Sequence, residues 1–145
     1  MKTPHILVSA LAVVLLAGAA PARAAEPAAA ASRHQVVVSY FHGDVRCATC
    51  RKLEAYAKAA VEEAFAAELA DGRVVFRAVN TDRAENAHFL TDYSLVTKSL
   101  VVTEEAGGKV VRWTNLDRIW RLVGDRQAYA DYVVAGVRAY LGPSS

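Results

Sequence analysis

Between Pro27 and Pro143 the chain has no proline, so no prolyl bond is available there to adopt the cis form. Cysteine is almost as scarce, with Cys47 and Cys50 the only two. A structural zinc site takes four ligands, usually completed by a second CxxC or a closely spaced histidine pair, and neither is present. No Gly-rich phosphate loop opens a helix, which removes the usual dinucleotide site. No internal repeat is present, which excludes a stacked-repeat architecture.

Net charge is also missing from the part expected to fold. Lys2 is followed by an uncharged apolar run, Ile6 through Ala20, and by Ala22-Arg23-Ala24, the pattern of a secretory signal peptide. The run is shorter than the ~20 residues that span a bilayer, so export, with no stable membrane anchor after signal removal, is the expectation. No cysteine near the cut excludes a lipoprotein. Removal of residues 1–24 takes Lys2 and Arg23 and leaves 15 basic against 15 acidic side chains. A neutral chain gives no electrostatic reason to expect nucleic acid or an anionic membrane as partner. Residues 25–34 are alanine-rich and aperiodic and read as a flexible tether. About 110 residues, 35–142, remain for one domain, enough for a core without cross-links. A periplasmic or secreted location follows, where a disulfide is chemically permitted.

What is present is concentrated at one junction. Val36-Val37-Val38-Ser39-Tyr40-Phe41 reads as a central strand buried on both faces. Cys47-Ala48-Thr49-Cys50 follows. From Ala48 to Ala70, Leu53, Ala57, Ala60, Val61, Ala64, Phe65 and Leu69 recur at helical spacing, with Glu54 and Lys58 as an i,i+4 pair and Asp71-Gly72 as the stop. Arg73 to Asn80 reads as a second strand. Thr81-Asp82 is the expected cap of a short helix carrying Ala87, Phe89 and Leu90 inward. Leu100–Thr103 and Val110–Trp113 flank Gly107-Gly108 as a hairpin. A short helix from Leu116 to Val123 follows, with Asn115-Leu116-Asp117 as its cap. Asp125 caps a last helix whose apolar stripe is Tyr129, Tyr132, Val133, Gly136, Val137, Tyr140 and Leu141. The order β-α-β, α, β-β, α predicts an α/β domain with a mixed central sheet and helices on both faces, the thioredoxin-like order.

A CxxC closes too small a ring to act as a strong staple, so reactivity explains the pair better. At a helix start the first sulfur meets unpaired N–H groups and the positive end of the helix dipole, which favour the attacking thiolate. The alternative use of the sulfurs is a Cu(I) site on Cys47, Cys50 and His42, since soft Cu(I) accepts thiolates and imidazole. A further alternative is a non-catalytic subunit that docks a partner through Trp113 and Trp120 and the nearby arginines.

Tyr40-Phe41-His42-Gly43, then Arg46-Cys47-Ala48-Thr49-Cys50-Arg51-Lys52, then Val111-Arg112-Trp113-Thr114-Asn115-Leu116-Asp117-Arg118-Ile119-Trp120 resemble a small group of thioredoxin-like proteins known as nitrophenyl compound nitroreductase subunits of the ArsF type. The likeness runs over roughly residues 35–141. It implies a thiol–disulfide oxidoreductase acting on a protein thiol or disulfide partner, with no cofactor beyond the redox-active disulfide. In such proteins the first cysteine, here Cys47, is the nucleophile and the second, here Cys50, resolves the mixed disulfide. Arg46 would support Cys47 by its charge. Two features depart from ordinary thioredoxins. Ser99 falls where they carry a cis-proline, and a trans bond is expected there because a cis non-prolyl bond costs ~2.5–4 kcal/mol. Ser39, Tyr40 and Phe41 fall where they carry a buried carboxylate, with His42 and Asp44 the nearest titratable groups.

Overall fold

The computed structural model describes residues 34–142. The expected signal peptide, residues 1–24, and the tether up to residue 33 lie outside the described residues. The elements are β1 (His34–His42), α1 (Ala48–Ala64), α2 (Ala66–Ala70), β2 (Val74–Asn80), a 3-10 turn (Ala84–Asn86), α3 (His88–Asp92), β3 (Ser99–Ala106), β4 (Lys109–Asn115), α4 (Ile119–Leu122) and α5 (Arg126–Leu141). They form an α/β arrangement around a four-stranded mixed sheet in the order β2-β1-β3-β4. β1 runs parallel to β2 and antiparallel to β3, and β3 is antiparallel to β4.

The near-continuous apolar run of β1 is explained by its central place, with side chains alternating between two covered faces. On one face Val36, Val38 and Tyr40 meet Leu53, Ala57 and Val61 of α1 and Tyr129, Val133 and Val137 of α5. On the other, Phe41 packs with Val101, Tyr93, Leu95 and Phe89. Helices therefore lie on both faces, but the second is served only by the five-residue α3. The hairpin turn falls at Gly107-Gly108 as expected, with φ of 59° and 75°, a left-handed pair that two glycines adopt without a Cβ clash. Asp125 caps α5, its carboxylate accepting from the Ala128 N–H at 3.0 Å.

Four local readings need correction. β1 begins at His34, not Gln35: His34 pairs opposite Ala106, and its ring reaches Glu104 at 2.5 Å. The long helix breaks at Phe65 (φ −130°, ψ 34°), where the N–H still reaches the Val61 carbonyl and the ring enters the main core. Thr81 and Asp82 do not cap a helix; Thr81 bonds back to the end of β1 and Asp82 to the β1–α1 loop. Nor do Asn115 and Asp117 cap α4, whose N-terminus takes no side-chain hydrogen bond.

Candidate functional site at the β1–α1 junction

Because β1 is central and α1 starts directly above its end, the loop from Gly43 to Arg46 is short and tightly held. Thr81 donates to the His42 carbonyl through both its N–H, at 2.8 Å, and its hydroxyl, at 3.1 Å. The Asp82 carboxylate accepts from the Asp44 N–H at 2.7 Å, and Asn80 donates to Asp44 Oδ1 at 2.6 Å. Gly43 leaves room for that approach: a Cβ there would stand 2.7 Å from the Asp82 carboxylate and force it to shift. The polar end of β2 thus fixes the loop that delivers the cysteines.

Cys47 and Cys50 are joined as a disulfide with Cα atoms 5.0 Å apart. The two sulfurs are not equivalent. Cys47 is exposed and serves as the N-cap of α1, its Sγ accepting from the Cys50 N–H at 3.0 Å. Cys50 lies one turn inside and is 4% exposed. Negative charge on the Cys47 sulfur would therefore meet a directed N–H and the positive end of a 17-residue helix. Arg51 reaches back over the same turn, its Nη1 donating to the Arg46 carbonyl at 2.5 Å.

Beneath the disulfide, Tyr40 occupies the place expected to lack a carboxylate. It is fully buried, and its hydroxyl donates to the Cys50 carbonyl at 2.8 Å. Tyr129 of α5 donates in the same way to the Leu53 carbonyl at 2.7 Å. Burial pushes the Tyr40 hydroxyl above its ordinary pKa, with the Arg46 charge opposing. Burial, and secondarily Tyr40, drives Tyr129 far above its ordinary value. Both stay protonated as hydrogen-bond donors through the neutral range.

Arg46 is not the free cation that its position beside Cys47 suggested. Its Nη2 contacts the Glu54 carboxylate, its Nη1 lies 3.4 Å from His42 Nε2, and its Nε is buried without an acceptor. Glu54 consequently does not pair with Lys58, which contacts Glu62 instead. The signal for Glu54 was available in the spacing: it follows Cys50 by four residues and shares its helix face. His42 is occupied by the Gly43 carbonyl at 2.9 Å as well as by Arg46. Among the described residues no three His, Cys, Asp or Glu side chains gather as a metal-holding group.

Ser99 opens β3 directly opposite Phe41 of β1 and is 4% exposed. No peptide bond among the described residues is cis, and the Ser99 hydroxyl donates to the Thr97 carbonyl at 2.9 Å. The loop before it, residues 94–98, separates a cleft of about 420 Å³ that includes Phe41, Val45 and Leu95 from a smaller one of about 150 Å³ bounded by Ser99, Asn115 and Trp120. Val45 and Val96 stand out at the rim, 77% and 97% exposed. The tryptophans divide. Trp120 packs against the main core and donates to the Lys98 carbonyl at 2.9 Å, while Trp113 is 41% exposed at the edge strand against Tyr93.

No protein-family model matches the chain, and a search of curated proteins found no match either.

Proposed function

We propose that this is a thioredoxin-like, exported protein whose Cys47–Cys50 couple exchanges electrons with a protein thiol or disulfide partner. The observation that carries the reading is the asymmetry of the pair: an exposed, helix-capping Cys47 and a Cys50 buried behind it. The strand order β2-β1-β3-β4, with the pair at the first strand-to-helix junction, supports the fold assignment. The apolar rim at Val45 and Val96 supports a macromolecular partner.

In the direction that reduces this protein, a partner thiolate attacks Cys47 Sγ and the Cys47–Cys50 bond breaks. Cys50 leaves as a thiolate and takes a proton. The partner's second thiolate then attacks its own sulfur in the mixed disulfide, releasing Cys47. Two electrons and two protons pass from the partner's dithiol to the couple, and the partner gains the disulfide. The opposite direction is the same sequence reversed.

The test is a titration of the protein in glutathione buffers, with the disulfide followed by mass, with and without Cu(I). A reversible two-electron transition insensitive to copper is expected. Cys50→Ser should accumulate a mixed disulfide with glutathione at Cys47, whereas Cys47→Ser should accumulate little. A pair that never interconverts, or thiols that copper shields from oxidation, would overturn the exchange reading and favour a copper carrier.

A further inference from the structure

The Arg46–Glu54 pair has no part in the exchange steps themselves, yet it joins the residue before the exposed cysteine to the residue one turn after the buried one. It is more than a surface ion pair. Both side chains are largely covered, 29% and 23% exposed, and the Arg46 Nε is fully buried without an acceptor. Keeping a guanidinium in that position is unfavourable unless a carboxylate holds it there. The other charged or titratable groups around it are His42, whose ring nitrogen lies 3.4 Å from Arg46, Arg51, which bonds the Arg46 carbonyl, and Tyr40, whose hydroxyl lies on Cys50. Glu54 is the only carboxylate found on Arg46 among the described residues.

We propose that Glu54 is a positioning residue for the couple: it holds the Arg46 guanidinium at the start of α1 and offsets its charge, and so sets how strongly the reduced Cys47 is favoured over the disulfide. The inference rests on the exchange reading above. With the pair intact, a Cys47 thiolate forms next in the chain to an Arg46 whose positive charge is offset by Glu54. Its stabilisation is then left mainly to the helix terminus and the Cys50 N–H. The pair acts as a moderating device, keeping the couple less oxidising than an unopposed Arg46 would make it, since a stabilised thiolate stabilises the reduced form.

Glu54→Gln separates charge from geometry, because an amide of the same shape stays beside Arg46 while the negative charge is gone. The Cys47 thiol pKa, read from the pH dependence of alkylation, should fall by about half to one unit, the lower end of what one adjacent charge does. The equilibrium constant with glutathione should move ~3–10-fold toward the dithiol. Arg46→Gln should move both quantities the other way. In the double variant, where both charges are gone, the pKa and the equilibrium should return close to the parent values. Unchanged pKa and equilibrium in Glu54→Gln, or shifts of the same sign in both single variants, would overturn the inference. Failure of the exchange reading is distinguishable: the unsubstituted protein would show no reversible transition. Urea unfolding of each oxidised variant identifies any that fails to fold, and Glu54→Asp, which keeps the charge, should restore the parent pKa where Gln does not.

Discussion

The two faces of the sheet are built on different plans. One is covered by α1 and α5, 17 and 16 residues long, whose regular apolar stripes meet Val36, Val38, Tyr40, Leu100 and Val102 in a single large core. The other is covered near the site by a few rings. Phe41, Phe89 and Tyr93 lie with centroids 5.2–5.8 Å apart, and Tyr93 continues to Trp113 at 5.1 Å. The first face carries the stability and the cysteine helix. The second is thin, short-helical and continuous with the clefts around the 94–98 loop. On the proposed exchange reading such a division would place the elements that tolerate variation where a partner lands.

Substitutions on the two faces should separate accordingly. The largest effect is expected at Leu53, completely buried between β1 and α5. Leu53→Ala should cost about 3–4 kcal/mol, the transfer and cavity terms together, measured by urea unfolding of the oxidised protein. Phe89→Ala, on the thin face and only partly buried, should cost about 1–2 kcal/mol because much of its surface is already wet. A larger loss at Phe89 than at Leu53 would invert the comparison. Asp125→Ala lies between the faces in its logic, removing a cap without touching either core, and should cost about 1 kcal/mol.

The smallest effect is one of pH. Arg112, and then His34, hold the Glu104 carboxyl below its ordinary value of 4.5 by hydrogen bonding. A depressed carboxyl adds stability above its unfolded pKa and loses it as pH falls through the folded one. Stability should therefore decline as pH drops below about 4.5. In Glu104→Gln that share of the decline should be absent, and 1 M salt should mimic part of the substitution. A decline as steep in Glu104→Gln as in the parent would remove the ion pair from the account.

The thick face was legible in the sequence, and the thin one only in part: of Ala87, Phe89 and Leu90, read as turned inward, Phe89 packs while Ala87 and Leu90 are exposed. Helical spacing in α1 and α5, the Gly107-Gly108 turn and the Asp125 cap are local patterns, each readable over a dozen residues or fewer. The CxxC at a helix start is equally local, and the structure joins Cys47 and Cys50 as a disulfide at the start of α1. What escaped were contacts between residues far apart in the chain. Thr81 and Asp82 carry the composition of a helix cap, but their hydrogen bonds go 39 and 38 residues back, to the end of β1 and to the loop after it. Glu54 has two cationic neighbours within reach, Lys58 by helical spacing and Arg46 only through the turn before α1, and the fold selects the second. Tyr40 reads as a core residue and is one, but its hydroxyl meets Cys50 only after β1 and α1 have packed.

The two buried tyrosine hydroxyls also determine how a change of state is transmitted. One comes from the strand below and one from the last helix, and each grips a main-chain oxygen of α1, at Cys50 and at Leu53. The helix bearing the sulfurs is thus riveted at two points to the rest of the molecule, and the loop before it is tied to Asn80 and Asp82. With helix and loop both held, opening the sulfur bridge would act locally, at the exposed Cys47, and would not slide the helix. On the exchange reading proposed above, a partner would have to tell oxidised from reduced at Cys47 and the Val45 rim, a signal only a few residues wide.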